Sequence, residues 1–163
     1  VTDTGRDTMT TKSTADESFS AQERAAMKER AAEIKAENKR AKSAEKAAAE
    51  EADVLEKIAR MPDGDREMAE RVHAIVTTVA PELAPRLYYG QPGYARGSKV
   101  LCFFRSGQMD KERYSTFGFS VQAELDSDDG FWPTAYALQE PSENAWERLG
   151  ELVRRSVGAS GSD

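Results

Sequence analysis

Residues 88–99 read YYGQPGYARGSK, with three tyrosines, three glycines and a proline in twelve positions. Gly90, Pro92 and Gly93 carry turn chemistry, since glycine reaches backbone angles closed to other residues and proline fixes its own. Upstream the apolar residues recur at helical spacing. Downstream they run together as in a strand. A turn-rich junction between a helical half and a strand-like half predicts an α+β fold, with helices packed on an antiparallel sheet.

Working back from the junction, Met68, Val72, Ile75, Val76 and Val79 follow a 3.6-residue period, and Pro81 ends that helix. Asp63 or Asp65 is positioned to cap it. Before the Pro62-Asp63-Gly64 turn, Val54, Leu55, Ile58 and Met61 form another apolar stripe. The two helices therefore form a hairpin. Further upstream, residues 20–52 are rich in Ala, Glu and Lys and lack Gly and Pro, which predicts a charged helical extension. Ser20 followed by Glu23 is the pattern of a capping box. Met27, Ile34, Ala41, Ala48 and Leu55 recur every seven residues, but the second apolar position of a coiled-coil heptad is missing. Residues 1–19 are polar and read as a disordered tail.

Working forward, Lys99–Arg105 (KVLCFFR) reads as a buried strand, and residues 114–122 and 132–138 as two more. Asp126-Ser127-Asp128-Asp129-Gly130 supplies a turn between the last two. From Ser142 to Val157 a final helix carries Trp146, Leu149, Leu152, Val153 and Val157 on one face, and residues 158–163 read as a flexible tail. The α+β domain thus spans 53–157.

Charge narrows the function. The chain carries a net −6 over 163 residues, and residues 51–163 alone hold thirteen basic and nineteen acidic side chains. An acidic domain disfavours nonspecific attraction to nucleic acid or anionic lipid over its whole surface, so a nucleic-acid partner is not expected. Residues 35–46 (KAENKRAKSAEK) run the other way, with five basic and two acidic residues, and make residues 21–52 a candidate surface for a protein partner. The longest strictly apolar run is Val100–Phe104, too short to span a membrane, and the beginning of the chain has no signal-peptide core. One cysteine, Cys102, makes no intramolecular disulfide, and a cytoplasmic setting is expected.

Catalytic signatures are missing from the sequence, which holds no phosphate-binding glycine loop, no His/Cys cluster and no nucleophile elbow. His73 is the only histidine and sits beside an apolar stripe, the setting of a structural histidine. Cys102 lies among Val100, Leu101, Phe103 and Phe104, as a core thiol does. Two candidate sites remain. Tyr88, Tyr89, Gly90, Gln91, Pro92, Tyr94 and Arg96 offer flat rings, polar tips and a cation suited to a small polar or anionic organic ligand. The same residues also fit a purely structural turn whose rings pack on the sheet. Glu124, Asp126, Asp128 and Asp129 form the densest carboxylate group, able in principle to hold a hard cation.

The order Met61-Pro62, Asp65-Arg66, amphipathic helix, Ala80-Pro81-Glu82, Tyr89-Gly90-x-Pro92, Tyr94, Lys99–Phe104 resembles the YdhG-like domain-of-unknown-function family of bacteria over residues 52–157. One branch of that family is described as frataxin-like intracellular iron chaperones. The resemblance implies an antiparallel sheet flanked by helices, and it adds weakly held iron on surface carboxylates as a possible cargo. The chain departs from the family pattern at Gln91, commonly Met, and at Gly93, commonly Ala.

Overall fold

Two tight turns fold the Tyr88–Lys99 stretch back on itself twice. At the first, Tyr89 and Gly90 both have positive φ, 49° and 76°, as a two-residue hairpin loop of the primed type demands. At the second, Gly97 adopts φ 62°. The computed structural model describes residues 19–158. In it the turns join β1 (Ala84–Tyr88), β2 (Gln91–Arg96) and β3 (Lys99–Arg105). The stretch expected to be a junction is therefore mostly strand, and β1 and β2 add to the three strands expected from sequence. The latter appear as β3, β4 (Ser115–Phe119) and β5 (Ala135–Leu138). All neighbours are antiparallel, in the order β1-β2-β3-β4-β5.

Three helices complete the α+β fold: α1 (Ala21–Ala59), α2 (Asp65–Val79) and α3 (Glu143–Ser156). Helix α1 runs without a break through the expected boundary near residue 52. The described chain divides into two compact units between Ala44 and Glu45. In the first unit every described residue is exposed. Ser20 caps the helix as expected, its Oγ accepting from the Glu23 amide at 3.1 Å. In the second unit, α1 buries Val54 and Ile58. Ser142 caps α3 by accepting from Ala145 N at 3.2 Å. Neither Asp63 nor Asp65 caps α2; Gly64 holds that position without a side-chain hydrogen bond. Of the expected tails at 1–19 and 158–163, all but residues 19 and 158 lie outside the described residues.

The sheet has two unlike faces. On the core face Tyr94 stands opposite Cys102, Cys102 opposite Phe119, and Phe104 opposite Phe117, all buried beneath Val54, Ile58, Val72, Val76, Trp146 and Val153. On the other face Phe103 lies between Gly93 and Gly118, its partners on either side. A Cβ at Gly118 would come within 2.4 Å of the Phe103 ring, and one at Gly93 within 2.7 Å of Tyr88 Cβ. Small residues on both neighbours let the ring lie flat, and Tyr88 packs against it at 5.3 Å between centroids. Crowding on both faces explains why Gln91–Ala95 is buried throughout, without the alternation of a half-exposed strand.

Candidate functional site

The side chains of residues 88–96 are distributed among several environments. Tyr94 is fully buried, and its hydroxyl meets His73 Nδ1 at 3.0 Å. His73 Nε2 in turn lies 3.5 Å from Glu51 Oε1, so His73 has partners on both sides. Tyr89 sits on the first turn at 83% exposure, with its ring edge-on to Tyr88. Pro92 is buried in the core, and Gln91 is buried with its amide oxygen 3.5 Å from Ser106 N. The Arg96 guanidinium donates to the carbonyl of Val157 at 2.5 Å, just past the end of α3, where the helix dipole favours a cation. Gln91, Pro92, Tyr94 and Arg96 brace the fold from several sides, and none of residues 88–96 lines the cleft at the start of α2.

That cleft, about 590 Å³, lies where the start of α2, the β3–β4 loop and the β5–α3 connection converge. Its floor is organised by Asp65, only 4% exposed. Asp65 Oδ2 accepts from Ser106 Oγ at 2.5 Å and from the Gln108 amide at 3.0 Å, while Oδ1 accepts from Gln108 Nε2 at 3.0 Å. Burial raises the pKa of this carboxyl, but the hydrogen bonds from Ser106, Gln108 and Ser115 together outweigh that and hold it below its ordinary value. Asp65 thus ties the first turn of α2 to the β3–β4 loop. Gly107 permits the tight approach there, since a Cβ would fall 2.1 Å from the Tyr114 carbonyl oxygen.

The cleft walls combine rings and charges. Asp63, Glu67, Glu112 and Glu140 join Asp65 against Arg71 and Arg113. Both guanidiniums are engaged. Arg71 bridges to Glu143 at 2.6 Å and lies over the Trp146 ring at 5.6 Å, and Arg113 lies over the Tyr114 ring at 4.9 Å. Arg71 in turn holds the Glu143 carboxyl below its ordinary pKa. Asp63 is paired with Arg66 at 2.5 Å. Glu67, Glu112 and Glu140 are exposed and make no ion pair among the described residues.

The four acidic candidates of the β4–β5 region are not assembled into a metal centre. Among the described residues no three His, Cys, Asp or Glu side chains gather as a metal ion would need. Asp129 is folded into its own turn, accepting from Ser127 Oγ and from Phe131 N at 3.2 Å, and those bonds lower its pKa. The Glu124 amide is committed to the Ser156 carbonyl at 2.9 Å. Cys102 is buried, and burial pushes its thiol far above the ordinary range, leaving a protonated core side chain.

Sequence reasoning noticed Asp65 as a helix cap and as part of the order that carries the resemblance, and missed the cleft. Its walls come from three segments separated by up to about eighty residues, and none carries a local motif. Comparison with protein-family models, with curated proteins and with solved structures found no match to this chain. Among the described residues no helix is long and apolar enough to cross a membrane.

Proposed function

We propose that the domain is a binding protein for a small organic cation, such as an amine, held in the Asp65 cleft. The observation that carries this reading is the charge of the walls: Asp63 is paired with Arg66, Asp65 is held by its own hydrogen bonds and Arg71 is bridged to Glu143, which leaves Glu67, Glu112 and Glu140 without ion pairs among the described residues, against Arg113 alone. The volume suits a small ligand. The Asp65 network supports the reading by fixing the cleft floor, so that less ordering is left to binding. On its sequence motifs we read residues 52–157 as a YdhG-like domain. The iron-handling role implied by that resemblance lacks a gathered set of ligands to rest on.

A fragment library containing both amines and carboxylates, screened by NMR against the full chain, tests this. Amines are expected to shift the backbone signals of residues 65–71, 112–115 and 139–141. The effect should weaken in Glu67→Gln, Glu112→Gln and Glu140→Gln. Hits confined to carboxylates, or clustered at residues 88–96, would overturn it.

A further inference from the structure

The first described unit carries a second kind of surface. Residues 21–44 hold seven basic and four acidic side chains, a net of +3 in a chain of net −6. All of them are exposed on a continuous helix. At 100° per residue, Lys28, Lys35, Lys39 and Lys42 fall within an arc of about 60°, while Glu29, Glu33 and Glu37 occupy a separate ridge.

A helix built only to be solvated would interleave these charges. Glutamate followed by lysine four residues on is the arrangement that stabilises an isolated helix, and like charges at that spacing destabilise it. Here no glutamate in residues 21–44 is followed by a lysine at three or four residues. Lys28, Lys35 and Lys39 have no carboxylate three or four positions away on either side, and Lys35, Lys39 and Lys42 repel one another along the row. Among the described residues none of the four lysines makes an ion pair; Arg30 instead takes both Glu33 and Glu37, at 3.1 and 3.9 Å. The row sacrifices helix stability to present one sign of charge.

We propose that this lysine row is a docking surface for the phosphate backbone of a nucleic-acid duplex, bound without sequence preference. Lysines 28 to 42 span roughly 21 Å at 1.5 Å per residue. The strands wind about the duplex axis, so a straight row of that length meets only the few phosphates on its side, about one for each lysine. Lysine is a point charge on a flexible stem, suited to phosphate contact but not to planar readout of bases. The alternatives fit less well. Met27 and Ile34 are the only large apolar residues of the segment, too few for the buried face of a membrane-surface helix. Aromatic rings for stacking single-stranded bases are missing from residues 21–44. Lysine is depleted in protein–protein interfaces.

The test is fluorescence anisotropy of the full chain with a labelled mixed-sequence duplex DNA of about 24 base pairs, titrated with NaCl. Four phosphate contacts predict a slope of log K on log salt of about −3.6, and each Lys→Gln change among Lys28, Lys35, Lys39 and Lys42 should flatten it by about 0.9. Glu29→Gln, off the row, should leave binding intact. Circular dichroism of the fourfold Lys→Gln variant should show the helix retained while duplex binding is lost. Three results would overturn the proposal: no duplex binding at 50 mM salt, a slope indifferent to the lysines, or capture of anionic vesicles or polyglutamate in place of the duplex.

Discussion

The hydroxyl of Tyr94 lies 3.0 Å from Nδ1 of His73, a side-chain link between β2 and α2 inside the core. The ring centroids are 5.7 Å apart, and Glu51 of α1 approaches the other imidazole nitrogen, so three elements share one polar chain. Tyr94 is wholly buried, and burial drives its phenol pKa far upward, keeping it a neutral hydroxyl. Tyr94→Phe keeps the ring and deletes only that bond. Urea unfolding should show a loss of about 1 kcal/mol. An unchanged midpoint would mean the hydroxyl contributes nothing.

Phe103 depends on the glycine beside it. Gly118→Ala would push a methyl into the ring and should cost about 1–3 kcal/mol. Adding Phe103→Ala removes the obstacle, so the double variant should be more stable than the sum of the two single losses allows. Simple additivity in thermal unfolding would show that the ring and Gly118 are not in contact.

Asp65 makes stability depend on acid. Its folded-state pKa is lowered, so its contribution is complete above the unfolded-chain value of about 3.9 and disappears as pH falls through the folded-state value below that. Asp65→Asn should cost about 2 kcal/mol at neutral pH and flatten the loss of stability below about pH 4. Equal acid sensitivity in both proteins, measured by urea unfolding at several pH values, would assign that limb to other carboxylates.

Tyr89 holds an unfavourable conformation in the open. Its φ of 49° disfavours an aromatic residue, whereas asparagine before glycine suits this turn. Tyr89→Asn should stabilise the domain by about 1 kcal/mol, read from the thermal midpoint. A loss instead would show that the edge-on contact with Tyr88 outweighs the backbone cost.

The helices were legible because their signals are local. Ser20 caps where the sequence places a cap, the last helix starts just after the expected Ser142, and the 3.6-residue stripe of α2 buries Val72 and Val76. Strands β1 and β2 were hidden. Their turn reads Tyr-Gly instead of the usual Asn-Gly, and Pro92 argues against a central strand. The structure resolves the conflict by pairing Pro92 with Leu87 of β1 alone, the β3 pairing beginning only at Gly93.

By itself the sequence determined the fold class, the three helical regions, the core role of Cys102 and the segregation of charge along α1, since each depends on residues within a few turns of one another. Only the tertiary structure decided where the side chains of residues 88–96 and Asp65 lie. It sent Tyr89 onto the loop between β1 and β2 and Tyr94 into the core, and an irregularity in the β2–β3 register between Tyr94 and Ala95 breaks the alternation before Arg96, which meets the end of α3. It also made Asp65 the floor of a cleft, by bringing Ser106 and Gln108 more than forty residues along the chain to its carboxylate, a closure no local pattern encodes.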